Sequence, residues 1–433
     1  MNRHIPRREF LSKAVNSAAA LQAAMAPSAV LSAERTNATG KGPNEAATAQ
    51  EYLKGLLYTR EEVKQWLEGK AFPFAKYSSE FGWLLRDARF QDGIDDAINI
   101  YTYGPLDERI TMHYKDQPCR INAYGDSYTQ CHQVSDGETW EEALAAHLQE
   151  PVRNFGIGGW SVYQAYLRML KEEQRVPADL IIFNIYQDDH FRNLDAWRNI
   201  RVRKNQRFIE PTLPYVEVNV AENRFVEKPN PCPTAESVYH LCDLEWVVNR
   251  FRDDFALNIM LAHANAKARN PGQDYKETMG LATTHGIITR VDTGKAISPD
   301  AEARHQRAAY YSSEQIIKKT EAFAREHNKK VLYILSYPAQ YIARYVKEGV
   351  RPDQPFTAFM QQSGLPVVDL LQLHVGEFQN YKGDIKDYLK QYFVGHYNPR
   401  GNLFTALAIK DRVVQMLNPK PQPYRPQPGV MRM

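Results

Sequence analysis

Ile121-Asn122-Ala123-Tyr124-Gly125-Asp126-Ser127-Tyr128-Thr129 opens the part of the chain whose pattern decides the fold. A short strand, Ile121 to Tyr124, runs into Gly125. The glycine allows a sharp turn and a close approach of substrate to the backbone. The serine that follows projects from the rim, and its own N–H can face an oxyanion. Outward from here the pattern repeats. Val152–Phe155 reads as a second strand and Leu180–Ile185 as a third, the latter a run apolar but for Asn184, of the kind buried on both faces. Lys330–Leu335 and Val367–Leu371 read as further strands. Between them lie helices: Thr139 to Glu142 reads as a capping box opening a helix to about Leu148, Ser161–Glu173 is a second, and Leu403–Leu417 is the last. Strands alternating with helices predict an α/β protein with a mostly parallel sheet and helices on both faces. Ligands then sit at the carboxyl ends of the strands.

The flanks are less regular. Residues 51–118 form an N-terminal extension, with a helix expected from Tyr52 to Leu67 and a mixed region rich in Pro, Gly and aromatic residues after it. A large insertion occupies about 190–330. It contains a hairpin pattern at Tyr215–Val220 and Arg224–Glu227, and helical stretches at 236–270 and 301–327. The principal domain is 119–417, followed by a tail at 418–433.

The 433 residues carry 43% apolar and 24% charged side chains, a globular composition that excludes a disordered or collagen-like chain. No run of about 18 apolar residues marks a membrane span. Arg3, Arg7, Arg8 and Lys13 against Glu9 account for the whole net charge of +3, so the remainder is neutral and a nucleic-acid partner is not expected. Pro6-Arg7-Arg8-Glu9-Phe10-Leu11-Ser12-Lys13 resembles the twin-arginine export signal. The weakly apolar, Ala-rich stretch to Ala33 fits its core. Residues 1–33 are therefore expected to be a signal peptide, 34–50 a linker, and the mature protein periplasmic or secreted. Cys232 and Cys242 are then either a short-loop disulfide or two free thiols.

Three further segments follow strands or precede the last helix: Asn154-Phe155-Gly156-Ile157-Gly158-Gly159-Trp160, Asn184-Ile185-Tyr186-Gln187-Asp188-Asp189-His190, and Gly395-His396-Tyr397-Asn398-Pro399-Arg400-Gly401-Asn402. The glycine loop has neither the Lys-Ser/Thr of a phosphate loop nor dinucleotide spacing. Together with Gly125-Asp126-Ser127 these segments resemble the SGNH (GDSL-type) hydrolase superfamily, in its exported branch. The stretch Tyr77 to Trp83 resembles a lead-in strand of that branch. The resemblance implies a three-layer α/β/α, flavodoxin-like sandwich and acyl-transfer chemistry. It implies Ser127 as nucleophile, His396 as general base and Gly159 in the oxyanion hole, with no cofactor.

Two positions depart from the family pattern. Asp188 stands where the family has an oxyanion-donating Asn, and an ionised carboxylate cannot donate. Either Asp188 is protonated, Gln187 donates instead, or the Ser127 and Gly159 N–H groups act alone. The family's Asp two or three residues before the His is replaced by Val394 or Phe393. Asp387, Asp384 or a carbonyl is left to orient His396, Asp387 being the first candidate, or the site is a Ser-His dyad. Other readings of nearby residues are a metal site at Asp126, Asp188, Asp189 and His190, a Cys131 nucleophile, and a sugar-stacking rim of Trp160, Tyr128, Tyr163 and Tyr186 in place of core packing. The expected activity is an exported esterase acting on an acylated, foremost acetylated, carbohydrate. Its alternatives are an envelope acyltransferase, a lipid or thioester hydrolase, and a binding protein with an impaired site.

Overall fold

The computed structural model describes residues 48–71, 74–202, 210–269 and 298–425. The expected signal peptide and most of the linker lie outside these residues. So do part of the insertion and the end of the tail.

The extension contributes two short hairpins, β1 (Ala75–Ser78) with β2 (Gly82–Leu85) and β3 (Ala88–Gln91) with β4 (Ile98–Tyr101). The central sheet follows: β5 (Ile121–Tyr124), β6 (Arg153–Asn154) and β7 (Leu180–Tyr186), then, after the insertion hairpin β8 (Tyr215–Asn219) and β9 (Arg224–Lys228), β10 (Lys330–Ser336) and β11 (Val367–Asp369). Its order is β11-β10-β7-β5-β6, and every pairing is parallel. Numbered along the chain, this is the 2-1-3-4-5 order of an open doubly wound sheet, whose ligand crevice lies where the order reverses, beside its first strand. That strand is β5, which delivers Ser127.

All seven residues of β7 are buried, which is why its sequence has no polar alternation. A first core packs around the sheet, with Ile182, Phe183, Leu332, Ile334, Ile409 and Trp140 among its members. A second core joins the extension to the insertion through Trp66, Phe81, Trp160, Trp197, Phe251 and Leu257. The extension is thus packed against the insertion rather than tethered to it.

Several boundaries differ from expectation for local reasons. The single helix expected over Tyr52–Leu67 is two helices, Ala49–Lys54 and Arg60–Leu67. Gly55 closes the first, and Thr59 opens the second with a capping box to Glu62. Thr139 caps the helix Trp140–Leu148, but Glu142 does not reach back. Its carboxylate accepts the Met112 and His113 N–H groups instead, at 2.9 and 2.8 Å. Val367–Leu371 is a three-residue strand, because Asp369 caps the next helix through the Leu371 N–H. No disulfide joins Cys232 to Cys242. Among the described residues no helix is long and apolar enough to cross a membrane.

Candidate active site

Asp126 ends the β5 turn by accepting the Tyr128 N–H at 2.9 Å, and this cap starts the helical turn Ser127–Gln130. The turn can form only beside a glycine: a Cβ on Gly125 would lie 2.2 Å from Thr129 Oγ1 and 2.7 Å from the Asn184 carbonyl. Asn154 ties the second loop to the same turn. It donates to the Thr129 carbonyl at 2.7 Å and accepts the Gly156 N–H at 2.9 Å. At the far end of the chain, Asn398 caps the last helix, Pro399–Met416, and its amide donates to the Gln391 carbonyl at 3.0 Å. His396 sits in the tight turn that precedes this cap, where the Val394 N–H donates to the His396 carbonyl.

These elements bring Ser127 and His396 together across 269 positions: Oγ and Nε2 are 2.8 Å apart. For Nε2 to accept the hydroxyl proton, Nδ1 must carry the ring's own proton. Nδ1 faces Gln133 Oε1 at 3.2 Å, and the same oxygen accepts the His396 backbone N–H at 2.7 Å. Gln133 Nε2 donates to the Asp92 carbonyl at 3.1 Å, which fixes the amide with its oxygen toward the histidine. The Gln133 N–H donates to the Tyr101 hydroxyl, and that hydroxyl donates to Asp92 Oδ2. The β3–β4 hairpin of the extension therefore holds the group that faces His396. Gly395 is part of the fit, since a Cβ there would come within 2.5 Å of Gln133 Oε1.

Arg109 fixes the segment that carries Gln133. Its guanidinium is buried and donates to the carbonyls of Gln130, Cys131 and Val134 at 2.6 to 2.7 Å, and to Asp136 at 3.1 Å. Burial, the neighbouring His132 and the Arg192 guanidinium hold the His396 imidazole well below the usual histidine range, so it is neutral near pH 7. A neutral imidazole hydrogen-bonded to a serine hydroxyl is the arrangement a general base requires.

The glycine loop faces the nucleophile. A Cβ on Gly158 would lie 3.7 Å from the Ser127 Cβ. Gly159 has φ +82°, and its carbonyl accepts from Arg198 Nη1. The Gly158 carbonyl accepts from Trp83 Nε1 at 3.2 Å, so β2 braces this loop; the stretch Tyr77 to Trp83, expected as one lead-in strand, is the turn of the β1–β2 hairpin with the strand ends on either side. With both carbonyls held from behind, the Gly158 and Gly159 N–H groups are left without hydrogen-bond partners among the described residues. Such N–H groups beside a nucleophile can receive a developing oxyanion.

Several expected roles are not supported by position. Asp387 is exposed, lies on the helix Ile385–Lys390, and pairs with Lys390 at 3.2 Å. Asp384 is spent capping the start of that helix. Asp188 is a buried acceptor: Oδ2 takes Arg192 Nε at 2.7 Å, and Oδ1 takes Arg201 Nη1 at 3.2 Å. Gln187 is buried, and its Oε1 has no hydrogen-bond partner among the described residues. The residues considered for a metal are committed elsewhere. Asp126, Asp188 and Asp189 converge on Arg192, and His190 Nδ1 meets Ser313 Oγ at 2.8 Å. Cys131 is buried against Glu141, and burial pushes its thiol up, away from the thiolate a nucleophile needs. Trp160, Tyr128, Tyr163 and Tyr186 are all buried, so core packing replaces the sugar-stacking rim.

No family model and no curated protein matches this chain. Among solved structures it is similar to the crystal structure of an acetyl xylan esterase, AlAXEase, at 12% identity and a TM-score of 0.33, over 68% of this chain and 99% of that one. A likeness of this degree carries no argument about what the present chain does.

Proposed function

We propose that this chain is an exported serine esterase of the SGNH type that removes acyl groups, acetyl foremost, from a polysaccharide or glycan. The observation that carries the reading is the 2.8 Å approach of His396 Nε2 to Ser127 Oγ beside a loop of unengaged N–H groups. Ser127 Oγ attacks the ester carbonyl as its proton passes to His396 Nε2. The tetrahedral oxyanion is received by the Ser127 and Gly159 N–H groups. Collapse breaks the bond to the alcohol oxygen, which leaves with the proton from His396. Water, deprotonated by the same nitrogen, then attacks the acyl-enzyme and releases the carboxylic acid. Gln133 keeps Nδ1 protonated throughout, the orienting part that a carboxylate plays in the serine proteases.

The five-stranded parallel sheet and its strand order support the flavodoxin-like sandwich that this family reading implies. The Arg7-Arg8 signal supports export, and export supports an extracellular polymer as substrate. The test is a fluorophosphonate probe with p-nitrophenyl acetate and acetylated xylan as substrates. Stoichiometric labelling of Ser127 with release of acetate bears the reading out. An unlabelled Ser127, or hydrolysis that survives Ser127→Ala, sinks it. Lysine at both Arg7 and Arg8 should leave the protein in the cytoplasm of a host with a twin-arginine pathway, and an unchanged periplasmic yield would remove the export proposal.

A further inference from the structure

We infer that Arg192 is a charged oxyanion donor of this site, its Nη2 completing a hole that the backbone N–H groups begin. The inference rests on the esterase reading and adds a catalytic residue to it.

Arg192 lies on the helical turn Asp189–Arg192, directly after β7. Two of its three guanidinium nitrogens are committed. Nε donates to Asp188 Oδ2 and Nη1 to Asp189 Oδ1, each at 2.7 Å, and Nη1 also donates to the Trp160 carbonyl at 3.0 Å. Nη1 is 3.4 Å from Asp126 Oδ2, and that same oxygen is 3.1 Å from Ser127 Oγ. The cation is therefore one carboxylate oxygen away from the nucleophile. Its Cζ lies 5.4 Å from the Tyr186 ring centroid. Tyr186 stacks on Tyr128, which packs beside the His396 ring.

Nη2 is the remaining nitrogen. It makes no hydrogen bond to protein among the described residues, in a side chain otherwise almost fully buried. A guanidinium is planar, so fixing Nε and Nη1 fixes the direction of Nη2 as well. Asp188 is itself clamped: its other oxygen takes Arg201, which is held by Asp195 at 2.7 Å. A donor oriented before substrate arrives needs no reorganisation as charge develops. Asp188, in the same loop, does not offer one, since it accepts through both oxygens.

The test compares p-nitrophenyl acetate with its thiono analogue, in which sulfur replaces the carbonyl oxygen and accepts hydrogen bonds poorly. Arg192→Lys keeps the charge between its carboxylates but removes the planar fork. Its kcat on the oxygen ester should fall by about 10²-fold, the order found when one oxyanion donor is lost, with KM within about threefold. Its preference for oxygen over sulfur should shrink at least about tenfold. A purely structural arginine lowers both rates together, and an unchanged oxygen-to-sulfur ratio overturns the inference. The wild-type enzyme gives a reading that does not depend on how the variant folds. In a crystal structure of its trifluoromethyl ketone adduct, Nη2 should lie within about 3.1 Å of the adduct oxygen, and a separation beyond about 4 Å overturns the inference. Failure of the esterase reading is distinct, because Ser127 would then form no adduct and take no fluorophosphonate.

Discussion

Gln133 Oε1 receives both the backbone N–H and, at 3.2 Å, the ring Nδ1 of His396. An amide thus occupies the place where a carboxylate was expected. It orients the imidazole and fixes its tautomer, but it brings no negative charge to stabilise an imidazolium. Gln133→Ala should therefore lower kcat by on the order of 10²-fold with little change in KM, since loss of the correct tautomer costs up to about 10⁴ in a serine protease. Gln133→Glu keeps an acceptor and adds the charge. It should restore much of the loss and move the acid limb of the rate profile upward. Equal activity of Gln133→Ala and wild type in a stopped-flow or steady-state assay would show that the ring is oriented by something else.

Asp387→Asn is expected to leave turnover within about twofold of wild type, because its carboxylate pairs with Lys390 at the surface and exposed pairs contribute little. A loss of tenfold or more would mean that the helix Ile385–Lys390 rearranges toward His396 when substrate binds.

The contrast between Asp387 and Gln133 shows what the sequence made legible. The strands of the sheet announce themselves because burial on both faces leaves long apolar runs such as Leu180–Ile185. Ser127, Gly159 and His396 lie where a strand ends in glycine or a helix begins at Asn-Pro, which are local signals. Gln133 has no local signal. It is a neutral side chain 263 positions from its partner, placed by Arg109 and by a hairpin of the extension. The carboxylate of Asp188, which could have donated to an oxyanion only if protonated, is instead engaged by Arg192 and Arg201, whose placement depends on how the insertion folds back. Only the pattern Asp188-Asp189 followed by Arg192, with ion-pairing at i,i+3 and i,i+4 on a helix, hinted at this arrangement.

Gly159→Ala tests the loop. Gly159 has φ +82°, where a side chain costs about 1–2 kcal/mol. A Cβ would also approach Trp83 Cζ2 at 3.1 Å and Arg198 Nη1 at 3.3 Å. Both neighbours brace the loop, so they cannot yield without turning the N–H groups away from Ser127. The expected result is a loss in kcat of at least about tenfold with KM nearly constant, together with a melting temperature a few degrees lower. A variant with lowered stability but unchanged kcat would place the oxyanion elsewhere.

The pH dependence follows from the environment of His396. Its folded pKa is depressed, chiefly by burial and then by His132 and Arg192, so the free enzyme keeps a neutral, competent base well below pH 6.5. His132, held down to about 3 by burial and Arg109, stays neutral through the same range and cannot set the limb. Because kcat/KM reports groups of the free enzyme, its acid limb should fall well below pH 6.5, with activity flat above it through pH 7 to 8. The sign of the Arg192 contribution is fixed: a nearby cation disfavours the imidazolium, so removing it raises the pKa and shifts the limb upward. Gln133→Glu shifts it in the same direction by adding an anion that favours the imidazolium. A wild-type limb at or above pH 6.5, measured on p-nitrophenyl acetate with stability checked at each pH, would mean that His396 is solvated when it reacts. The enclosed geometry would then not be the state that performs catalysis.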